Sequence, residues 1–205
     1  MPGADDSTFE ATFRVLHEVR LRGVVEIDES EVVVALVEAG FVARSSRGIR
    51  ITAVGREMHA SWARLSAGED EEAARRAYTR FLPLNRELLR ICSDWQVRPG
   101  GVPNDHGDAH YDWSVLDRAR TLDERIGPVV SRLGRSIERF ASYRGRLRAA
   151  LARVDEGETD WLTSPRLDSY HTVWMQLHED LLLAIGGDRA TEPAADGEPA
   201  KTVEQ

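Results

Sequence analysis

One cysteine, one lysine and no long apolar run: these shortages exclude several classes of protein before any motif is read. The single thiol, Cys92, rules out an internal disulfide framework and any cysteine-rich metal site. No stretch approaches the ~20 apolar residues that a membrane-spanning helix needs. Residues 1–10 have neither the basic start nor the apolar centre of a signal peptide. The expectation is a cytoplasmic protein with no membrane partner. Lys201 is the only lysine among 27 basic residues, so arginine carries nearly all the positive charge. A formal net charge of −8 argues against broad, nonspecific coating of nucleic acid. It leaves room for a local basic patch. A Gly-rich phosphate loop, a serine nucleophile elbow and an HExxH helix are also missing, so no enzyme is expected.

What is present begins with residues 33–56, VVALVEAGFVARSSRGIRITAVGR. An apolar helix stops at Gly40, and short strands at 41–44 and 49–52 flank a Ser-Ser-Arg-Gly turn. A further helix opens at Gly55-Arg56. Helix, hairpin and helix with a basic hairpin is the order of a winged helix-turn-helix. On this reading Arg44, Arg47 and Arg50 are the DNA contacts, made to the phosphate backbone. Two features pull the other way. The helix over 29–39 carries Glu29, Glu31 and Glu38 with no Arg or Lys, and residues 23–28 are too few for the helix that normally precedes a recognition helix. The alternative is a degenerate winged helix used for packing or protein interaction.

The composition then turns helical. A winged-helix module over 8–66 is expected to give way to a bundle of four to six helices over 67–187, making a mainly α protein. Pro83 is expected to kink or break a helix over 69–96, and the Pro/Gly-rich residues 97–107 to form a loop. Helices are expected over 111–125, 128–140 and 144–154, with Ser164-Pro165 opening the last and Gly186-Gly187 ending it. Six arginines between 132 and 148 read as a solvated face. Residues 188–205 hold no aromatic residue and five acidic against two basic residues, the composition of a disordered acidic tail.

Four of the six histidines fall in two places: His106 and His110 in the loop NDHGDAHYD, and His171 and His178 in the last helix. Spacings of three and four put His171, Trp174 and His178 on one apolar stripe. Buried imidazoles need partners. The loop is therefore expected to fold over the last helix beside a cavity at Trp174, with Asp94 close by. Three readings stay open: a structural hydrogen-bond network, a pocket for a small-molecule effector, or a divalent metal such as zinc, nickel or iron. The pocket reading takes Asp94, His106, Asp108, His110, Tyr170, His171, Trp174 and His178 as ligand contacts.

The segments FLPLNRELLRICSDWQ (81–96), NDHGDAHYD (104–112) and DSYHTVWMQLHEDLL (168–182) resemble a family of uncharacterised actinobacterial proteins. These carry an N-terminal winged helix and are often described as MarR-like regulators. The resemblance covers roughly residues 10–187. It implies a transcriptional regulator and supplies neither catalytic residues nor a ligand. DNA binding through such a module also implies a homodimer, because two half-sites demand two reading heads.

Overall fold

The computed structural model describes residues 6–26 and 30–187. The first part runs α1 (Asp6–Arg22), β1 (Val24–Val25), α2 (Glu31–Glu38), β2 (Val42–Ser45), β3 (Gly48–Ile51) and α3 (Ala53–Ala63). The strands form an antiparallel sheet in the order β1-β3-β2, with Val24 opposite Arg50 and Ala43 opposite Arg50 on the other side. Leu16, Val19, Val33, Leu36, Val42, Ile49 and Ile51 close a small core, with Phe41 and Trp62 packed against it. Residues 27–29, between β1 and α2, lie outside the described residues.

Two glycines let this unit close. Gly48 has φ +132°, and a Cβ there would stand 2.0 Å from the Val25 carbonyl oxygen. At Gly55 a Cβ would meet the Phe41 carbonyl oxygen at 2.0 Å, while that oxygen already accepts from the Thr52 backbone N–H at 3.0 Å. Alanine inside an exposed helix normally gains about 1 kcal/mol over glycine. Here the clash is with backbone, and overpacking of that kind costs about 1–3 kcal/mol. Gly55→Ala is therefore expected to lower stability, and a chemical-denaturation midpoint that rises instead would contradict this packing.

The second part runs α4 (Glu69–Gln96), β4 (Val97–Arg98), β5 (Val102–Pro103), α5 (Ala109–Ser136), a 3₁₀ turn (Glu138–Phe140), α6 (Ala141–Asp155), α7 (Asp160–Thr163) and α8 (Tyr170–Ile185). Pro83 does not break α4, and Pro128 lies inside α5 and not in the first turn of a new helix. Ala74, Ala77, Phe81, Leu84, Leu88, Ile91 and Trp95 bury an unbroken stripe along α4. Val115, Ala119, Leu122, Ile126, Val130 and Leu133 do the same along α5. Pro83 and Pro128 lie on the exposed faces, so each costs a backbone hydrogen bond without shifting the stripe. The single helix α5 replaces the two expected over 111–125 and 128–140. In the expected loop, β4 pairs with β5 as a two-rung arm between the long helices.

The last helix starts later than expected. Ser169, not Ser164, is its N-cap and accepts from the Thr172 N–H at 3.2 Å. Ser169→Ala should cost about 1 kcal/mol, the usual worth of a cap, read as a shift in the denaturation midpoint. None of the described helices is long and apolar enough to cross a membrane. The tail expected over 188–205 lies outside the described residues.

Candidate functional site

The hairpin exposes Arg44, Arg47 and Arg50. They do not share a face. Arg44 stands opposite Ile49, which is buried, and Arg50 stands opposite Ala43. Cross-strand partners point to the same side, so Arg50 is on the outer face and Arg44 at the edge of the inner one. Arg47 sits at the turn, where the Ser45 hydroxyl closes the loop onto the Gly48 carbonyl at 2.8 Å.

The histidine-rich loop and α8 do not meet in the way the sequence suggests. Asn104 donates to the Trp95 carbonyl at 3.1 Å and to Asp112 at 2.8 Å. His106 contacts Asp112 at 2.9 Å and packs tilted against Trp95 with ring centroids 4.4 Å apart. Asp108 caps α5, accepting from the His110 and Tyr111 N–H groups, and takes Arg98 at 2.7 Å. These hydrogen bonds, the Tyr111 N–H first, hold its carboxyl below the usual range. Asp94 pairs with Arg118 at 2.6 Å, and His110 is exposed. Loop and arm together fasten the α4–α5 turn.

On α8 the candidates go elsewhere. Trp174 is fully enclosed, donating to Asn85 at 2.9 Å and packing on Phe81. His178 lies against Phe81 and Tyr78. Asn85 precedes Trp95 by ten residues, about 15 Å along a helix at ~1.5 Å per residue. The expected cavity at Trp174 is thus filled by α4. The Tyr170 hydroxyl donates to Asp123 at 3.2 Å, and Arg144 takes the same carboxylate at 2.6 Å. Burial, then the Asp123 charge, pushes the phenol pKa up, so it stays protonated. Only His171, half-buried, faces an open cleft. Among the described residues no three His, Cys, Asp or Glu side chains converge to hold a metal ion.

A polar cluster lies where the sequence suggests nothing: the seam joining α1 and α3 to α6 and α8. Asp180 on α8 is completely buried. Arg139 Nε stands 3.0 Å from one of its oxygens. Tyr143 donates to the other at 3.2 Å, and His17 Nε2 stands 3.3 Å from it. His17 Nδ1 then meets His59 Nε2 at 2.9 Å, with Phe13 stacked on both rings. His59 is buried, and desolvation, followed by His17 and Arg20, lowers its pKa from 6.5 to about 3. It is neutral near pH 7. Burial and then the Asp180 charge push the Tyr143 phenol well up, so it remains a donor. Arg139 also donates to the Ala63 carbonyl at 2.8 Å, and its buried Nη2 has no hydrogen-bond partner. Nearby, Arg20 of α1 pairs with Glu179 of α8.

Two clefts flank the end of α1 along this seam. One of about 550 Å³ lies between α1–β1 and the segment entering α8; Arg20, Arg166, His171 and Met175 are among its walls. The other, about 270 Å³, lies between α1 and α6 and is walled by Arg14, Arg139 and Arg146, with His17 and Tyr143. Leu21, Arg22 and Gln176 border both. Arg146 grips Asp168 through two nitrogens at 3.0–3.1 Å. The expected solvated arginine face is thus corrected at Arg139, Arg144 and Arg146, which turn inward to carboxylates. The signal was in the sequence: Asp180 stands directly before Leu181-Leu182-Leu183, and a carboxylate at the edge of an apolar run needs a cation.

No family model, curated protein or solved structure matches the chain.

Proposed function

We propose that the protein is a DNA-binding transcriptional regulator of the MarR-like kind, touching the phosphate backbone through its β2–β3 hairpin and acting as a homodimer, with a small-molecule effector held by the helical part. The observation that supports this reading is the exposure of Arg47 at the hairpin turn with Arg50 on its outer face. Phosphate contacts of this type give affinity without reading sequence. A second reading, an interaction protein that binds no DNA, is favoured by α2. Its exposed positions are Glu31, Val34, Ala35 and Glu38, a surface that phosphate repels.

Fluorescence anisotropy with duplex DNA separates the two. Arg47→Ala and Arg50→Ala should each weaken binding to a similar degree for every duplex tried. Unchanged affinity in the double variant contradicts the hairpin contact. Light scattering at roughly tens of micromolar, an ordinary range for dimer affinities, should return a dimer; a monomer counts against the regulator.

A further inference from the structure

We propose that the paired clefts around Arg22 form a binding site for a small organic oxyanion, its phosphate or carboxylate head held in the arginine-walled cleft between α1 and α6. The site rests on the seam alone and stands whether or not the hairpin binds DNA.

The wall of the smaller cleft presents Arg14, Arg22, Arg139 and Arg146 against one carboxylate, Glu18, in a chain whose net charge is −8. Glu18 on the wall takes Arg22 at 3.3 Å, and the other acids lie off it: Asp168 takes Arg146 and, at 3.7 Å, Arg22, Asp180 takes Arg139, and Glu10 takes Arg14. Each guanidinium carries five N–H donors in a fixed fork, more than these partners take up. At Arg139, Nε and Nη2 are buried behind the wall without a hydrogen-bond partner, so the residue keeps unspent donors next to the cleft. Guanidinium forks match the paired oxygens of carboxylate and phosphate, which is why such clusters bind oxyanions.

The larger cleft explains where the rest of the ligand goes. It adjoins the smaller one across Leu21, Arg22 and Gln176, and it adds apolar wall at Leu167 and Met175 beside His171, with the carboxylates Asp168 and Glu179 already paired to Arg146 and Arg20. Its volume of about 550 Å³ suits a metabolite-sized body. A ligand seated there would bridge α1 to α6 and α8, the elements joined by the buried Asp180 cluster.

The test uses the full chain labelled with ¹⁵N, followed through its arginine side-chain N–H signals. Inorganic phosphate and succinate are titrated separately, with sodium chloride at matched ionic strength as the blank. A saturable one-site shift is expected with at least one anion, and which anion saturates tells the head group. Arg22→Gln should weaken that binding at least about tenfold, as loss of a hydrogen bond to a charged group does, with duplex DNA binding unchanged. Arg14→Gln, at a three-quarters exposed side chain, supplies a second variant that leaves the folded state undisturbed and should also weaken binding. Shifts equal to the chloride blank, no saturation below about 10 mM, or full affinity in both variants would overturn the site.

Discussion

Asp180→Ala is expected to lower folding stability by about 3–5 kcal/mol, the usual effect of stripping one partner from a buried ion pair. The carboxylate has no solvent exposure and answers Arg139, Tyr143 and His17 together. Once it is gone, the Arg139 charge keeps only the Ala63 carbonyl as a hydrogen-bond acceptor. The exposed pair Asp94–Arg118 provides the contrast. It is shorter, at 2.6 Å against 3.0 Å, yet about 40 % of each side chain meets water. Asp94→Ala should therefore cost under about 1 kcal/mol. Guanidinium unfolding curves on both variants measure the difference. Equal effects would mean that burial of the seam does not control its energetics.

The second large effect is a pH dependence carried by His59. Its pKa is 6.5 when exposed and about 3 in the folded chain. Above pH 6.5 both states are neutral and the residue contributes no slope. As pH falls from 6.5 toward 3, the unfolded chain takes up a proton that the folded chain refuses, so stability falls with decreasing pH. The slope approaches about 1.4 kcal/mol per pH unit. His59→Gln should remove it. Unfolding free energies of wild type and variant between pH 6.5 and 4 are expected to converge as the solution becomes more acidic. Parallel lines for the two proteins would show that the ring is not held neutral.

Periodicity made the helical content legible. Helices are legible where α4 and α8 run, and over α5 as two pieces and not one, and Gly40 and Gly186 mark two ends. The hairpin is equally plain from the turn at 45–48. What misled were prolines read locally: Pro83 and Pro128 sit on the outer faces of helices whose inner stripes continue, and packing outweighs the lost bond. The histidine constellation failed for a related reason. Shared helical phase shows that His171 and His178 lie on one side of α8 but not what covers that side. Tyr78 and Phe81 of α4 cover His178, while His171 reaches the margin. The seam could not be read from spacing, because His17, His59, Arg139 and Asp180 come from four distant segments. Only the carboxylate before Leu181 hinted at it, and nothing in one sequence names its partner.

The claim that the hairpin contacts DNA phosphates is tested most directly by the salt dependence of duplex binding by the full chain. Each phosphate contact contributes about −0.9 to the slope of log affinity against log salt. With Arg47 and Arg50 engaged, the slope should be about −1.8 per protomer and should flatten toward zero in the double alanine variant. A wild-type slope near zero, or no binding at low salt, would contradict the account and favour an interaction protein.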